Sequence, residues 1–258
     1  MKVRDIMATD LVTVDKDRNL KDVLALMEGR RITKIPVTED GELVGIVTDG
    51  QIADKLGRAH NRNVQTTTLH ASSVMEKDFI VAHPDEDLKV LLADVGKPGL
   101  TMVPVVQGKK LVGVVTKADL LRLVESTVKL ESIMTAQLKA VAPEDRLVHA
   151  RRLLLDNDIA RLPVLAAGRV RGIIAEHEIA DAFAKLKFAD SHVQRANLPD
   201  LQVGPYMKRQ VVTARPTQSA KEAAQLMLKS HVGGLPIVGD AGTIEGIVTR
   251  TDLIKTFA

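Results

Sequence analysis

The chain has 258 residues, with 36 lysines and arginines against 33 aspartates and glutamates, one tyrosine, four phenylalanines and no tryptophan or cysteine. The hydrophobic share of 45% and the charged share of 27% are typical of a globular protein, and this length predicts one to two domains at about 150 residues each. The absence of cysteine excludes disulfide frameworks, cysteine-based zinc sites, iron–sulfur clusters and thiol nucleophiles.

The net charge of +3 reflects a small excess of bases, which is weak support for nucleic-acid binding. So few aromatic residues also argue against base-stacking platforms for single strands. The first five residues are too charged for a signal peptide, and no apolar run approaches the ~20 residues that span a bilayer. These features predict a cytoplasmic protein without a membrane segment.

A fourfold repeat organises the chain. Each copy has a Met near its start, a Pro 29 residues later, and a Gly nine residues after the Pro, or ten in the last copy. The positions are Met7, Met75, Met134 and Met207; Pro36, Pro104, Pro163 and Pro236; and Gly45, Gly113, Gly172 and Gly246. Such constant spacing predicts one structural unit repeated four times.

In chain order, each copy is predicted to begin with a short apolar strand, at residues 11–14, 79–82, 138–141 and 211–214. An apolar helix face follows, at Leu20, Val23, Leu24 and Met27 in copy one and at Leu88, Leu91, Leu92 and Val95 in copy two. Residues 35–37 and 43–47 then predict two strands joined by a turn at Asp40-Gly41, and a closing helix follows, at 118–124 in copy two. Each copy is therefore a β-α-β-β-α unit.

One such unit cannot cover both faces of its own sheet, so the copies are expected to pair. The predicted fold class is α/β (α+β), with copies at 1–57, 70–125, 129–186 and 202–258. Copies one and two form a module at 1–125, and copies three and four form a second module at 129–258. The two modules are expected to build a flat disc, within one chain or in a homodimer.

The apolar-Pro-apolar units and the ends of the copies carry a family resemblance. Copies two, three and four contain Val-Pro-Val at 103–105, Leu-Pro-Val at 162–164 and Leu-Pro-Ile at 235–237. Copies two and four end in Gly-Val-Val-Thr-Lys-Ala-Asp-Leu at 113–120 and Gly-Ile-Val-Thr-Arg-Thr-Asp-Leu at 246–253. This pattern resembles the cystathionine β-synthase (CBS) domain over nearly the whole chain, and it looks like two tandem modules with no attached enzyme.

The resemblance implies a regulatory protein that binds adenosine-containing ligands, such as AMP, ADP, ATP or S-adenosylmethionine, in clefts between paired repeats. In that family, the ending supplies a carboxylate to the ribose and a hydroxyl to phosphate at a helix start, where an anion is favoured. The complete endings belong to copies two and four, with Thr116, Asp119, Thr249 and Asp252. Copy one has Thr48 and Gln51, and copy three has Ala175 and Glu178, so two competent pockets are expected.

Further ligand contacts follow from the same resemblance. Basic residues two positions before the Pro reach phosphates held by the partner repeat, and they occur here as Lys34 in copy one and Arg161 in copy three. Lys34 is therefore expected to complete the Thr116 pocket, and Arg161 the Thr249 pocket. By position, the adenine is expected to lie against Leu100, Thr101, Val232 and Gly233.

Other interpretations stay open at this point. Thr-x-x-Asp at a strand-to-helix junction is also a helix capping box, and a cap does not exclude a ligand beyond it. An enzyme with Asp119 and Asp252 as catalytic carboxylates lacks an accompanying base, nucleophile or metal set, and the seven histidines show no metal-binding spacing. A nucleic-acid-binding protein is indicated only by the pI and the basic stretch from Arg58 to Arg62. The sequence thus favours a non-catalytic sensor, without a metal, that regulates an unidentified partner protein.

Overall fold

The computed structural model describes residues 1–60, 69–95, 102–188 and 200–257. The helices in these ranges are α1 (Leu20–Arg30), α2 (Asp49–His60), α3 (Leu88–Val95), α4 (Lys117–Leu121), α5 (Leu147–Asp156), α6 (Glu176–Phe188), α7 (Ala220–Lys229) and α8 (Arg250–Ile254). The strands are β1 (Val14–Asp15), β2 (Lys34–Glu39), β3 (Glu42–Thr48), β4 (Met102–Gln107), β5 (Lys110–Thr116), β6 (Arg161–Ala166), β7 (Arg169–Ala175), β8 (Gly234–Val238) and β9 (Ile244–Thr249). Copies one and three therefore differ from copies two and four in having the longer closing helices.

Each copy is built around one antiparallel hairpin, and all four hairpins share a register. The residue two positions before the Pro pairs with the last residue of the second strand. The pairs are Lys34 with Thr48, Met102 with Thr116, Arg161 with Ala175, and Gly234 with Thr249. This register places the residue two positions before the Pro beside the start of the closing helix. The ligand-binding ending was predicted at that helix start.

The short strands predicted at the start of each copy are mostly wrong. Only Val14 and Asp15 form a strand, and residues 82, 141 and 214 each make one parallel bridge to the hairpin of their own copy. Ile80 and Val81 are 42% and 37% exposed, whereas Ala82 is buried. The segment therefore meets the sheet edge at its last residue only. The closing helix predicted at 118–124 is also shorter, since α4 ends at Leu121.

The copies exchange their first segments within each module. Val3 lies in the core of copy two, and Met7 lies on Gly113, where an added Cβ would meet the Met7 sulfur at 2.6 Å. Met75 lies on Gly45 in the same way, at 2.7 Å. The Met and the Gly that recur with the repeat are therefore contacts between paired copies, and the Gly is required because a side chain has no room there.

Strand pairing joins copies one and two. Glu42 of β3 pairs with Lys110 of β5, which gives one sheet in the order β1-β2-β3-β5-β4. Copies three and four are joined by bridges from Thr135 to Ile247 and from Ile173 to Lys208. The copies thus pair as the sequence predicted, one with two and three with four.

Helix packing joins the two modules within one chain. Helix α2 of copy one packs along α6 of copy three, and α4 of copy two packs against α8 of copy four. One hydrophobic core accordingly contains Leu20 and Leu56 together with Leu147 and Phe183, and the other contains residues of copies two and four. The four copies form a closed ring in the order one, two, four, three.

In the described ranges, no helix is both long enough and apolar enough to cross a bilayer.

Candidate functional site

The endings of copies two and four form the same hydrogen-bonded unit. Asp119 Oδ2 accepts from Thr116 N at 2.9 Å and from Thr116 Oγ1 at 2.7 Å, and Asp252 Oδ2 accepts from Thr249 N and Oγ1 at 2.8 and 2.7 Å. The capping geometry is therefore present. Both bonds in each copy go to one oxygen, so within the described residues Oδ1 remains available as an acceptor for a ligand.

Copy one forms the same cap with an amide in place of the carboxylate. Gln51 Oε1 accepts from Thr48 N at 2.9 Å, and Thr48 Oγ1 accepts from Gln51 N at 3.1 Å. Because Thr48 N needs an acceptor, the carboxamide oxygen must face it, and the amide N–H groups are what Gln51 presents outward. Copy one therefore offers donors where copies two and four offer a carboxylate oxygen.

Copy three retains a carboxylate, but other groups engage both of its oxygens. Glu178 Oε2 accepts from Ala175 N at 3.0 Å, and Glu178 Oε1 forms an ion pair with Lys208 Nζ at 2.8 Å. Glu178 is 9% exposed. The ion pair with Lys208 offsets the charge of this carboxylate, and residue 175 has no hydroxyl.

Arg161 lies across the two glycines that begin the hairpin of copy four. A Cβ added at Gly233 or Gly234 would meet Arg161 Nη1 at 2.6 or 2.8 Å, so a side chain at either position would displace this guanidinium. Gly234 pairs with Thr249, so Arg161 lies beside the hairpin that ends at Thr249. Arg161 Nη1 is buried and has no hydrogen-bond partner among the described residues.

Burial, together with the positive charge of Arg250, lowers the pKa of Arg161 to about 10. The carboxylates of Glu178, Asp49 and Glu176 act in the opposite direction but are outweighed. A buried cation without a full complement of acceptors is costly unless an anion accompanies it. This guanidinium is therefore suited to an anionic ligand.

Lys34 lies at the interface between copies one and three. Burial lowers the pKa of Lys34, while the charges of Asp49, Glu176 and Asp158 raise it. The charge of Lys34 also lowers the pKa of Lys117, the first residue after Thr116. The charge of Lys34 is therefore felt at the start of the closing helix of copy two.

The first residue of each closing helix is a functional candidate that the sequence analysis did not single out. These residues are Asp49, Lys117, Glu176 and Arg250, and with Lys34 and Arg161 we call them the central charged cluster. The first four of these residues occupy the same position in each copy, directly after the Thr or Ala of its ending. A charged residue in all four copies, at the junction of a buried strand with a helix, was the sequence signal for them.

The acids of the cluster meet between α2 and α6. A Cβ added at Gly50 would meet Glu176 Oε1 at 2.7 Å, so this carboxylate lies directly against the start of α2. Asp49 is 5% exposed, and burial together with the negative charge of Glu176 raises its pKa to about 7. Burial also raises the pKa of Glu176.

The bases of the cluster meet between α4 and α8. Lys117 is 4% exposed, and its Nζ donates to Thr251 Oγ1 at 2.7 Å. Burial and the charges of Lys34 and Arg161 lower the pKa of Lys117 to about 8. Arg250 Nη2 donates to Val232 O at 3.3 Å, and burial lowers the pKa of Arg250.

The residues predicted to hold the adenine have different outcomes. Leu100 and Thr101 lie outside the described residues. Val232 contacts Arg250 through its carbonyl oxygen, and Gly233 lies beneath the Arg161 guanidinium. The basic stretch from Arg58 to Arg62 runs into the undescribed range 61–68, and the structure describes none of its side chains.

An open cleft of about 590 Å³ lies at the ending of copy one. Copies one, two and three all contribute to its walls, which include Thr48, Gln51, Asp54, Lys55, Ser73 and Glu176. Gln51 occupies the position of Asp119 in this cleft, and Asp54 is ion-paired with Arg151. Across the described ranges, no group of three or more His, Asp or Glu side chains is arranged to hold a metal ion.

Four hairpin-and-helix units, joined in pairs by exchanged segments, define a tandem-repeat protein of two paired modules. The CBS domain family model matches residues 3–58, 71–126, 130–185 and 203–258. The chain therefore belongs to the CBS domain family, as its sequence motifs predicted.

Relatives of similar length support this assignment. The chain is 26% identical over 271 residues to the uncharacterized protein MJ1225 of Methanocaldococcus jannaschii, covering 96% of this chain and 95% of that protein. It is also 26% identical to an uncharacterized 33.4 kDa protein of Thermofilum pendens, over 95% of this chain and 87% of that one. The crystal structure of MJ1225 matches the whole of both chains with a TM-score of 0.88.

Proposed function

We propose that the chain is a non-catalytic sensor of adenosine nucleotides, with one site at Thr116 and Asp119 and a second at Thr249 and Asp252. The observation that carries the proposal is the buried Arg161 Nη1, which has no partner among the described residues and lies on Gly233 and Gly234. Such a buried donor is suited to a phosphate oxygen.

The carboxylates give the ribose side of the proposed site. Asp119 and Asp252 each use one oxygen for the helix cap and keep the other for a ligand. A carboxylate oxygen is acceptor-only, so it can take a ribose hydroxyl while the cap stays in place. Capping and ligand binding are compatible functions of one residue here.

The charge of the cluster favours phosphate-bearing ligands over S-adenosylmethionine. Lys34, Lys117, Arg161 and Arg250 converge, and in each of them burial lowers the pKa. A phosphate offsets this repulsion, whereas the positive sulfonium of S-adenosylmethionine adds to it. We therefore propose AMP, ADP or ATP as the ligand.

Regulation of a partner protein is the proposed role of this binding. The cluster lies where both modules meet, so a ligand there contacts the interface that fixes their arrangement. A ligand can shift such an arrangement only by binding one state more tightly than another. The changed surface is then what a partner protein recognises.

Calorimetry with adenosine, AMP, ATP and S-adenosylmethionine tests the proposal. We expect two AMP sites per chain, and Asp119→Asn and Asp252→Asn should each remove one, because Asn keeps the cap oxygen but loses the charge. Each change should weaken its site by about 1.5–3 kcal/mol, which is tenfold or more in Kd, with the Tm of the free protein nearly unchanged. Four equal sites, tighter binding of S-adenosylmethionine than of AMP, or no binding at all contradict the proposal.

A further inference from the structure

The four recurring methionines join the paired copies at equivalent places. A Cβ added at the recurring glycine of any copy would meet a methionine Sδ of the paired copy at 2.6 to 2.7 Å. The pairs are Met7 with Gly113, Met75 with Gly45, Met134 with Gly246 and Met207 with Gly172. In each pair, the thioether occupies the space that a side chain on the glycine would otherwise fill.

Two backbone hydrogen bonds accompany each of these methionines. Ala8, which follows Met7, exchanges hydrogen bonds with Val114, which follows Gly113, at 2.9 and 3.0 Å. The same isolated bridge joins Glu76 with Ile46, Thr135 with Ile247, and Lys208 with Ile173. We call each methionine, its glycine and this bridge a clasp. Because each bridge is one residue pair rather than a ladder, the clasp depends on the packing of its methionine.

The clasps differ in how far their methionines are buried. Met7, Met75 and Met134 are half-buried, whereas Met207 is 7% exposed and belongs to a hydrophobic core. Both clasps of the first module therefore have a methionine that a small solute can reach, and the second module has one such clasp. Because the chain contains no cysteine, its oxidisable sulfur atoms are all thioethers.

We infer that Met7 and Met75 are sites of reversible oxidation by a peroxide, and that their sulfoxides open the joint between copies one and two. A lone pair of Sδ forms the new bond to one peroxide oxygen while the O–O bond breaks, and the other oxygen leaves as water. The sulfur is thereby oxidised to the sulfoxide, and the peroxide is reduced.

The surroundings of the two sulfur atoms explain why oxidation should open the joint. A sulfoxide is polar and carries one more atom than the thioether. One side of each sulfur faces a glycine backbone that leaves no room for that atom, and both side chains pack against hydrophobic cores. The methionine must therefore leave its glycine for the new oxygen to reach water, and the bridge beside it loses its packing.

Treatment of the whole, ligand-free chain with hydrogen peroxide tests this inference. Peptide mapping by mass spectrometry should find Met7, Met75 and Met134 oxidised well before Met207. The Tm should fall by about 4 °C or more once Met7 and Met75 are modified. Methionine sulfoxide reductases should then restore the original Tm.

The chain contains a control for exposure alone. Met1 is 62% exposed and precedes the first clasp, so it should oxidise first without changing the Tm. The double variant Met7→Leu and Met75→Leu should keep the Tm within about 2 °C, because the volumes are similar, and should lose most of the peroxide effect. Met134→Leu makes the same change in the second module and should retain that effect.

Hydrogen exchange localises the opening without any substitution. After peroxide treatment, the amides of Ala8 and Glu76 should exchange faster, whereas those of Ile173 and Lys208, at the Met207 clasp, should stay protected. The inference is wrong if Met7 and Met75 are fully oxidised with an unchanged Tm. It is also wrong if the Met207 clasp oxidises or loses protection as early as the other two.

Discussion

Copies one and three begin their closing helices with acids, whereas copies two and four begin theirs with bases. The acids, Asp49 and Glu176, meet between two long helices, α2 and α6, and the bases, Lys117 and Arg250, meet between two short ones, α4 and α8. An acid is favoured at a helix start and a base is not. The half with the bases is also the half with the complete endings.

The carboxylates near these helix starts follow the same division. Asp119 and Asp252 keep an oxygen for a ligand, whereas Glu178 is held by Lys208 and residue 51 is an amide. The two halves thus share one backbone pattern but differ at equivalent positions in whether a carboxylate oxygen is open to a ligand. The comparison indicates that side chains at three or four positions decide which copies can offer a carboxylate oxygen to a ligand.

The largest expected effect comes from the buried acid of copy one. Asp49→Asn should be more stable than the unmodified chain at pH 8, with the difference disappearing toward pH 4. Because folding raises the pKa of Asp49 to about 7, the native state holds a proton that the unfolded chain releases near pH 4. Stability of the unmodified chain therefore falls as pH rises from 4 to 7, by at most about 1.4 kcal/mol per pH unit from this group.

Thermal unfolding of both proteins between pH 4 and 9 measures this difference. Glu176, Glu178, Lys34 and Arg161 face the same interface and are present in both proteins. Asp10→Asn, at an exposed position, is the matched control and should follow the unmodified chain. A constant difference across the whole range would show that Asp49 stays ionised in the native state.

A second change tests the proposed contact between Arg161 of copy three and the phosphate of the ligand. Arg161→Ala should weaken AMP by about 1.5–3 kcal/mol, because a charged hydrogen bond to phosphate is lost, while adenosine binding changes little. Calorimetry with both ligands on each protein measures the difference. Arg152→Ala is the control, since Arg152 is 80% exposed in its side chain and pairs only with a neighbour on its own helix. Equal losses for AMP and adenosine would mean that Arg161 acts through folding.

The smallest expected effect is a gain in copy one. Gln51→Asp should convert the cleft at Thr48 into a third, weaker site, because a carboxylate there can accept from Thr48 N and still present one oxygen. A ribose bond gained in this way adds about 1 kcal/mol or more to binding, and calorimetry should count three AMP sites. Gln51→Asn keeps the amide and is the control.

In copy three, by contrast, a single substitution is expected to create no new site. Glu178→Asp alone should leave the count at two, because residue 175 has no hydroxyl and Lys208 lies on the carboxylate. Adding Ala175→Thr and Lys208→Met together is what should open this site. A new site from Glu178→Asp alone would show that the ion pair with Lys208 does not block a ligand.

Sequence reasoning predicted the repeat well because the repeat is local. The intervals from Met to Pro and from Pro to Gly reflect one unit folded four times, and the hairpins at the four prolines share one register. The first strands failed because apolar, β-branched residues such as Ile80 and Val81 lie exposed, where local propensity did not decide the structure. Burial depends on the partner copy, which the local pattern does not contain.

The candidate site divides in the same way. Lys34, Arg161 and the Thr-x-x-Asp endings could be proposed from a family motif, because each lies within one copy. The apposition of Lys117 with Thr251 joins residues 134 positions apart and depends on how the two modules pack. In the sequence, the signal for this contact was the charged residue that directly follows the Thr or Ala of the ending in all four copies.

The exchanged first segments and the shared cores have a consequence for dissecting the chain. A cut after copy two separates Leu20 from Leu147 and so halves both hydrophobic cores, while a cut after copy one removes Met75 from Gly45. Removing a copy therefore leaves its neighbours with exposed apolar surface, however regular the repeat. Unlike an open solenoid, which can lose a terminal repeat and keep the rest, this closed ring is expected to fold and unfold as one cooperative body.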